Sequence, residues 1–346
     1  MAVNETPPFW FEKAGPKAWL LWPLSWMYSR AAALKMHAKP SGSVDVPVLC
    51  IGNFVAGGGG KTPTALAMAK QVTEMGYNPG FLSRGYGGRI SGPAQVELDK
   101  HNAHDVGDEP LLLARAAPTV ISSDRLTGAR KLVEIGVDFI IMDDGFQNPR
   151  LLKDYNLVVV DAKRGAGNGF AMPAGPLRVN LKDQLRLADG VLIIGQQDGA
   201  VSVVRQAAKS GCPVYQADMK MLDKAKWKGK WVLAYAGIAD PSKFFDGLRS
   251  VGADLAQIKS FGDHHFFTRD DVTELLDRAK LMKAQLVTTT KDFVRLMGMG
   301  EAAERLAKAS EIVKIEVVFE NPQTAELVIN KTLAEFEKRQ LAANKL

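Results

Sequence analysis

The sequence predicts an α/β fold: a large domain with a doubly wound, mostly parallel sheet, followed by a second, smaller α/β domain. Short apolar runs alternate with helix-like stretches from residue 46 onward, and a glycine-rich loop follows the first of these runs. Runs that are apolar on both faces are typical of strands that helices cover on both sides. The 346 residues are enough for two domains, since domains usually have about 100 to 200 residues.

Composition places the chain among ordinary folded proteins. Hydrophobic residues make up 46% and charged residues 24%, which argues against a disordered chain and against a polytopic membrane protein. Cys50 and Cys212 are the only cysteines, too few for a disulfide framework, so a reducing cytosol fits best. The net charge of +6 weakly favours an anionic partner, but the sequence has no stripe of interleaved basic and aromatic residues. We therefore predict no nucleic-acid partner.

The apolar runs divide the chain into parts. A first group covers residues 46–51, 137–142, 156–160 and 191–194, and a second group covers residues 231–236, 286–289 and 312–319. Between the groups the composition turns to Lys, Asp, Gly and Trp, which marks a boundary. We predict an N-terminal segment at residues 1–40, a main domain at 41–225 and a smaller domain at 226–346 that closes a cleft. The last 24 residues read as an amphipathic helix.

A tryptophan-rich stretch sets the N-terminal segment apart. Residues 18–28 carry no charge. The tryptophans of the segment are Trp10, Trp19, Trp22 and Trp26, and its flanking basic residues are Lys13, Lys17, Arg30 and Lys35. The stretch is shorter than the ~20 residues that a membrane-spanning helix needs, whereas Trp and Lys favour the membrane interface. We predict a membrane-associated helix, kinked at Pro23, that lies at the membrane surface.

Two other interpretations of this segment stay open. One is a core helix packed on the main domain, which the length of the stretch permits. The other is a signal peptide, with the three alanines at 31–33 as a cleavage site. Glu5 and Glu12 do not fit the basic leader of such a peptide.

Residues 52–62, with the sequence GNFVAGGGGKT, resemble a phosphate-binding loop. They follow an apolar run and precede a helical pattern, the context in which glycines let backbone N–H groups surround phosphate oxygens. Lys61 would reach the β- and γ-phosphates and Thr62 would ligate Mg²⁺. The predicted ATP-binding residues are Phe54, Val55, Ala56, Gly57, Gly58, Gly59, Gly60, Lys61 and Thr62. The main domain is thus predicted to be a P-loop domain; the alternative is a flexible loop with a chance Lys-Thr pair.

Asp143 and Asp144 end a buried apolar run, so both lie where ligands bind in open α/β sheets. Carboxylate and hydroxyl oxygens are ligands that Mg²⁺ prefers. Asp143, Asp144 and Thr62 are therefore the candidate metal ligands. An ordinary turn after a strand is the alternative for this Asp-Asp-Gly sequence.

Asp108 opens an apolar helical stretch in the sequence DVGDEP, residues 105–110. It is either the N-cap of that helix or a catalytic carboxylate within reach of an attacking hydroxyl. His264 and His265 lie in FGDHHFF, residues 261–267. They are either satisfied imidazoles of a buried turn or groups that orient a base, and no ligand spacing suggests zinc.

Three arginines lie just after apolar runs or in glycine-rich turns: Arg84, Arg125 and Arg178. Such positions face the ligand edge of a sheet, and guanidinium groups bind phosphate with two parallel hydrogen bonds. A solvated surface side chain is the alternative for each of them.

Taken together, the motifs resemble the tetraacyldisaccharide 4'-kinases of lipid A biosynthesis. The motifs that carry the resemblance are GNFVAGGGGKTP at 52–63, LSRGYGG at 82–88, GDEP at 107–110, DDGFQ at 143–147, GNGFAMPAGPLR at 167–178, Asp263 with His264, and TTTKDFVRL at 288–296. Any one of them is weak, but their order and spacing also match, and they cover most of the chain.

The resemblance implies that ATP phosphorylates the 4'-hydroxyl of a tetraacylated disaccharide 1-phosphate, giving lipid IVA, at the cytoplasmic face of the bacterial inner membrane. It implies that Asp108 is the base and that His264 of the second domain orients it. Lys61 and Arg125 would neutralise charge on the transferred phosphoryl group. Substrate contacts are expected at Arg84, Gln147 and Arg178.

The sequence departs from the family pattern at Gly59, Asn148 and Val179, where a small polar residue, His and Glu are common. Two other functions stay open on the residues alone. A P-loop ATPase or GTPase that drives a partner's conformational cycle would hydrolyse nucleotide without a lipid acceptor. A non-catalytic membrane-binding module would tolerate loss of Lys61.

Overall fold

Two sheets with helices on their faces make up the protein, and a computed structural model describes residues 7–343. The strands are β1 Val48–Gly52, β2 Pro79–Ser83, β3 Ala94–Gln95, β4 Thr119–Ile121, β5 Phe139–Asp143, β6 Tyr155–Asp161, β7 Gly190–Ile194, β8 Val214–Met221, β9 Trp231–Ala236, β10 Asp254–Ser260, β11 Gln285–Thr289, β12 Ser310–Val313 and β13 Ile315–Phe319. Residues 1–6 of the predicted N-terminal segment and 344–346 of the predicted terminal helix lie outside the described residues.

The helices alternate with these strands, as the sequence pattern predicts. They are α1 Pro16–Met36, α2 Lys61–Glu74, α3 Ala103–Val106, α4 Asp108–Ala114, α5 Arg125–Glu134, α6 Leu181–Leu185, α7 Val201–Lys209, α8 Lys224–Trp227, α9 Pro241–Ser250, α10 Arg269–Met282, α11 Thr290–Leu296, α12 Glu301–Ala309 and α13 Thr324–Ala343. Short 3₁₀ turns occur at Pro8–Trp10 and Asp198–Ala200.

The larger sheet has nine strands in the order β13-β8-β7-β6-β1-β5-β2-β4-β3. Its strands are parallel from β8 to β4, and the two edge strands β13 and β3 are antiparallel. From β1 the chain first builds one side of the sheet and then, after β5, returns to build the other side with β6. The carboxyl end of β1 therefore lies at a topological switch point, where ligands bind in sheets of this kind. The predicted mostly parallel sheet is confirmed.

Helices bury both faces of this sheet. On one face, α2 and α13 contribute Met68, Val328 and Ile329 to the core. On the other, α5 and α6 contribute Leu132 and Leu185. Because both faces are covered, the central strands are apolar along most of their length, and each residue of β1 is buried.

The smaller sheet has four parallel strands in the order β10-β9-β11-β12. Helix α9 covers one face with Phe245 and Leu248. Helices α10 and α12 cover the other face with Leu275 and Leu306. This sheet and its helices form the second α/β domain.

The predicted extent of the second domain, 226–346, is wrong at its C-terminal end. The apolar run 312–319 forms two strands, not one: β12 pairs with β11 of the small sheet, whereas β13 pairs with β8 of the large sheet. Helix α13 follows β13, and its Arg339 pairs with Asp154 of the large domain at 2.8 Å. The second domain is therefore an insertion that ends near Lys314. Apolar periodicity identifies strands but does not indicate which sheet a strand joins.

Helix α1 buries mainly small and polar residues and exposes most of its large apolar ones. Its buried side chains are Ala18, Ser25, Ser29 and, at its last position, Met36. The Ser25 hydroxyl donates to the Ala171 carbonyl at 2.6 Å, and the Ser29 hydroxyl accepts from the Asn180 N–H at 2.9 Å. The exposed side chains include Trp19, Leu20, Trp22, Leu24, Trp26 and Met27. A helix that faces water normally buries its apolar side chains and exposes its polar ones, and α1 shows the opposite distribution. This distribution does not fit a core helix.

The helices described between residues 7 and 343 include none that is both long enough and apolar enough to cross a membrane.

Placement of α13 on the large sheet generates a stability prediction. Ile329→Ala should lower the free energy of unfolding by about 2 to 5 kcal/mol, because it leaves a cavity in the core beside α2. Leu327, on the exposed side of the same helix, provides the control, and Leu327→Ala should change stability by about 0.5 kcal/mol or less. Urea denaturation followed by circular dichroism measures both. Equal effects of the two substitutions would contradict the packing described.

Candidate active site

The glycine-rich loop lies at the carboxyl end of β1 and leads directly into α2, as predicted. Gly57, Gly58 and Gly60 have φ angles of 72°, 91° and 104°, in the region that residues with a Cβ rarely adopt. A Cβ at Gly60 would also lie 2.7 Å from the Ile194 side chain. The loop thus requires glycine at these positions, and it lines a cleft between the two domains.

Lys61 and Thr62 begin α2, and both are buried. The Lys61 Nζ lies 3.5 Å from the carbonyl oxygen of Gly57 and 3.4 Å from that of Gly58. It also lies 3.9 Å from Oδ2 of Asp144. The ammonium group is therefore held over the loop, where phosphate oxygens would meet the N-terminus of α2.

The first part of the loop is bound to the protein itself. The Phe54 carbonyl accepts from the Arg178 N–H at 2.9 Å, and the Ala56 N–H donates to the Pro176 carbonyl at 2.7 Å. The Val55 carbonyl accepts from Nε of Arg178 at 3.1 Å. These contacts bind the backbone of Phe54, Val55 and Ala56 to residues 176–178, and the Ala56 N–H, already donated to Pro176, is not available to a phosphate oxygen.

Asp144 is neutralised by protein groups. Its two oxygens accept from Nη1 and Nη2 of Arg178, each at 2.9 Å. Arg178 also donates to Gln147 at 3.0 Å, and Gln147 donates to the Asn53 carbonyl at 2.7 Å. Burial acts to raise the pKa of Asp144, but Lys61 and Arg178 outweigh it and lower the pKa to about 2. In this structure Arg178 and Gln147, predicted as substrate contacts, hold Asp144 and the loop.

The environment of Asp143 is the opposite of that of Asp144. Asp143 is 1% exposed, and among residues 7–343 neither of its carboxylate oxygens has a hydrogen-bond partner. Burial, followed by the charge of Glu109, raises the pKa of Asp143 to about 7. A buried carboxylate without partners is costly unless a cation offsets it. Together with the buried hydroxyl of Thr62, this carboxylate fits a Mg²⁺ site better than Asp144 does.

The donor set is small, as expected for magnesium. Among residues 7–343, no group of three or more His, Cys, Asp or Glu side chains is arranged to hold a metal ion. Mg²⁺ in phosphoryl-transfer enzymes usually takes one or two protein ligands and completes its shell with phosphate oxygens and water. Asp143 and Thr62 suffice for such a site.

Asp108 and His264 meet across the cleft. Oδ2 of Asp108, a residue only 4% exposed, lies 3.1 Å from Nδ1 of His264 in the second domain. The N-cap of α4 is Gly107 and not Asp108, so the cap interpretation is wrong. His264 has a φ of 57°, a conformation that costs about 1 to 3 kcal/mol for a non-glycine residue and is frequent at functional sites. The structure thus brings the predicted pair together.

Two cations of the second domain also reach the first turn of α4. Arg295 Nε lies 2.8 Å from Oδ2 of Asp108, and Lys291 Nζ lies 2.7 Å from Oε1 of Glu109. Both cations come from α11, within the TTTKDFVRL motif. The sequence prediction did not include Glu109, Lys291 or Arg295. The TTTKDFVRL motif drew attention to this segment, but the sequence does not indicate which residues the charged side chains of a helix will contact.

These contacts make Asp108 and His264 a hydrogen-bonded carboxylate–imidazole pair. Burial acts to raise the pKa of Asp108, but the hydrogen bond with His264 and the charges of Arg295 and Lys291 hold the pKa well below its usual range. The hydrogen bond with Asp108 raises the pKa of His264 despite partial burial. The carboxylate is therefore the weaker proton acceptor and the imidazole the stronger one.

Arg125 and Arg84 face the same cleft from the other side of β5. Arg125 is 2% exposed and donates from Nη1 to the Ser122 carbonyl, and its Nε has no partner in the part of the chain that the structure describes. Burial and the nearby Arg84 lower its pKa. A buried guanidinium with a free donor is suited to an anion that enters the cleft.

His265 has a structural role as a satisfied imidazole of a turn, which was one of the two roles considered for both histidines. Its Nε2 lies 2.9 Å from Oδ2 of Asp271, in the first turn of α10. Its ring stacks on Phe261, with centroids 4.7 Å apart. The two adjacent histidines therefore differ: His265 belongs to a packed turn and His264 to the cleft.

The loop, the buried Lys-Thr pair and the carboxylate at the end of β5 define a P-loop protein that acts on nucleotide phosphates. The comparisons narrow this class. The family described as Tetraacyldisaccharide-1-P 4'-kinase matches residues 17–334, which is most of the chain. The protein therefore belongs to this family, and the resemblance noted from the motifs is confirmed.

Curated relatives agree along the whole length. The chain is 48% identical to the tetraacyldisaccharide 4'-kinase of Sinorhizobium fredii over 343 residues, which cover 99% of both proteins. It is also 48% identical to that of Agrobacterium fabrum, with 99% of this chain and 98% of the relative covered. Among solved structures, LpxK from Aquifex aeolicus in complex with ATP has a TM-score of 0.68 at 24% identity, covering 91% of this chain and 99% of that one. This likeness shows a shared fold.

The three departures from the family pattern have simple surroundings. A Cβ at Gly59 would meet no described atom within 4 Å, so the small polar side chain common in the family would extend into open space there. Asn148 holds a turn by accepting from the Arg150 N–H at 2.9 Å. Val179 is buried in the core of the large domain. None of the three residues Gly59, Asn148 and Val179 carries a charge, so none of them adds a charged group to the cleft.

The unpartnered Asp143 carboxylate generates a prediction of pH-dependent stability. Its raised pKa means that the folded protein binds a proton that the unfolded chain has released between about pH 4 and 7. Stability falls as pH rises through that window. Without nucleotide and Mg²⁺, Asp143→Asn should therefore be more stable than the native chain at pH 8, by an amount that shrinks toward pH 4.

Asp144→Asn is the matched comparison. It removes the charge that Arg178 and Lys61 neutralise, so we expect it to lower stability at pH 8. Thermal unfolding between pH 4.5 and 8 measures both variants. If Asp143→Asn loses as much stability as Asp144→Asn, the distinction between the two carboxylates is wrong.

Proposed function

We propose that this protein transfers the γ-phosphate of ATP to the 4'-hydroxyl of a tetraacyldisaccharide 1-phosphate. Family membership gives the reaction. The observation that carries the proposal is the hydrogen bond between Asp108 and His264, because one domain supplies the loop and the other supplies the imidazole that faces the same cleft. A site assembled from two domains positions the acceptor against the phosphate, as phosphoryl transfer requires.

We assign the proton transfer differently from the sequence analysis, which named Asp108 as base and His264 as its orienting partner. Asp108 is 4% exposed, and its oxygens accept from His264, Arg295 and the Glu109 N–H. His264 lines the cleft and has the raised pKa. With Nδ1–H donated to Asp108, the Nε2 lone pair is the proton acceptor.

The reaction then proceeds in line. The 4'-oxygen attacks the γ-phosphorus while its proton passes to Nε2 of His264, and the bond from the γ-phosphorus to the β,γ-bridging oxygen breaks to release ADP. Lys61 and Arg125 offset the charge on the transferred group. Asp143 and Thr62 would hold Mg²⁺, which would supply further neutralisation of the phosphate charge.

We also propose that α1 holds the protein at the cytoplasmic face of the inner membrane as a peripheral contact. Its exposed Trp19, Trp22 and Trp26 suit the interface, where indole rings and their N–H groups are both satisfied. Lys35 and Tyr28, near the end of the helix, also line the cleft. An acyl-chain substrate could thus reach the cleft without leaving the lipid, a step that would cost about 0.8 kcal/mol for each exposed CH₂.

The central prediction is lipid-dependent phosphorylation. Purified protein in detergent micelles with MgATP should phosphorylate the tetraacylated disaccharide 1-phosphate. Lys61→Ala, His264→Gln and Asp108→Asn should each lower kcat by about 10² to 10⁴, since each removes charge neutralisation or proton transfer. Labelled phosphate in the lipid fraction is measured. A reaction without lipid is the control, and rapid ATP hydrolysis with no lipid product would support the ATPase alternative.

A second prediction concerns the membrane. Replacing Trp19, Trp22 and Trp26 together with serine should lower binding to vesicles that contain anionic lipid by at least about tenfold, because the apolar side chains no longer enter the interface. Co-sedimentation measures binding, and circular dichroism checks the fold. Trp231 is exposed in the second domain, and Trp231→Ser is the control that should bind as the native chain does. Equal binding by all three proteins would refute a role for α1.

A further inference from the structure

One oxygen of Asp108 serves two groups of the second domain. Oδ2 lies 3.1 Å from Nδ1 of His264 and 2.8 Å from Nε of Arg295. Both Asp108 and Arg295 are almost completely buried, at 4% and 2% exposure. The guanidinium therefore acts on the pair at hydrogen-bond distance with little solvent screening.

Arg295 is itself fixed within the second domain. Its Nη1 donates to the Gly237 carbonyl at 2.6 Å and to Oδ1 of Asp292 at 2.9 Å. Asp292 in turn accepts from the Thr289 hydroxyl at 2.6 Å and from the Gly237 N–H at 2.9 Å. A continuous chain of hydrogen bonds thus runs from Thr289 through Asp292 and Arg295 to Asp108.

We infer that Arg295 is a positioning residue for phosphoryl transfer: it fixes the Asp108 carboxylate for His264 and offsets part of its negative charge. This inference rests on the proposed function. With less negative charge facing it, the imidazolium releases its proton at a lower pH, so the base is available nearer neutrality. Arg295 does not line the cleft, so it acts through Asp108 and not on the substrate.

The other groups around His264 define the electrostatic setting. Asp263 lies 3.8 Å from Nε2, and the ring of Tyr86 packs edge-on at 6.0 Å between centroids. Lys291 also acts to lower the pKa of His264, while Asp108 and Asp263 raise it. Arg295 and the imidazole of His264 contact the same oxygen, Oδ2 of Asp108. Removal of the guanidinium would therefore leave that oxygen to His264.

The sign of the effect distinguishes positioning from simple structural support. Arg295→Gln leaves Asp108 with its full charge toward His264, so the imidazolium is stabilised and the acidic limb of kcat/KM against pH moves to higher pH. Asp108→Asn removes that charge and moves the limb to lower pH. We expect shifts of about one unit in opposite directions. At a pH well below the midpoint, one unit corresponds to a roughly tenfold change in kcat/KM.

The experiment measures lipid-dependent phosphorylation by the full chain from pH 5.5 to 9.5 for the native protein and both variants. Arg339→Gln is the matched control, because Arg339 also pairs with a buried carboxylate at 2.8 Å, that of Asp154, away from the cleft. It should lower stability without moving the pH profile. Arg295→Lys should move the midpoint in the same direction as Arg295→Gln but less, and it carries the test if Arg295→Gln does not fold.

The outcomes separate this inference from the proposed function. No lipid product from the native protein would refute the kinase assignment itself. If the pH profile of Asp108→Asn differs from the native profile, but those of folded Arg295→Gln and Arg295→Lys coincide with it, the role of Arg295 alone is refuted. A uniform loss of activity at all pH values, with lowered thermal stability, would show that Arg295 only supports the fold.

Discussion

The buried charge of Asp108 is the constraint on which the arrangement of the two domains depends. A carboxylate that is almost fully excluded from water is strongly unfavourable unless other groups offset it. The groups that do so here, His264 and Arg295, belong to the other domain. Lys291 and Glu109 add a second contact of the same kind beside it. Separation of the domains would leave these charges without partners, so the charge pairing that orders the site also favours the closed cleft.

The two adjacent aspartates at the end of β5 have different environments. Asp144 turns into a left-handed conformation, with φ of 49°, and pairs with Arg178 and Lys61. Asp143 stays in the strand, buried and without a hydrogen-bond partner among the described residues. Asp144 is therefore a fixed anion that organises the loop, whereas Asp143 is a buried carboxylate that no group of the described chain neutralises at hydrogen-bond distance. A difference in backbone conformation between neighbours gives identical side chains different chemistry.

Much of this could be predicted from sequence, for physical reasons. Continuous apolar runs identified the buried strands, and the glycine spacing before Lys61 identified the loop, because both patterns reflect local geometry. The contact of Arg178 with Asp144 was not predicted, since an arginine beside a ligand edge looks the same in sequence whether it binds a substrate or a carboxylate. Arg295 was missed for a related reason. Its partner lies 187 residues away, and only the folded chain brings them together.

The strand that returns at Ile315 has a consequence for how the protein forms during synthesis. The small sheet is complete once residue 313 has been made, whereas the large sheet gains β13 only with residues 315–319 and its face gains α13 only with residues 324–343. The two connections between the domains run side by side, with the Leu222 N–H donating to the Lys314 carbonyl at 2.9 Å. The inserted domain can therefore fold as a unit before its host is complete, and its folding brings the late strand next to β8.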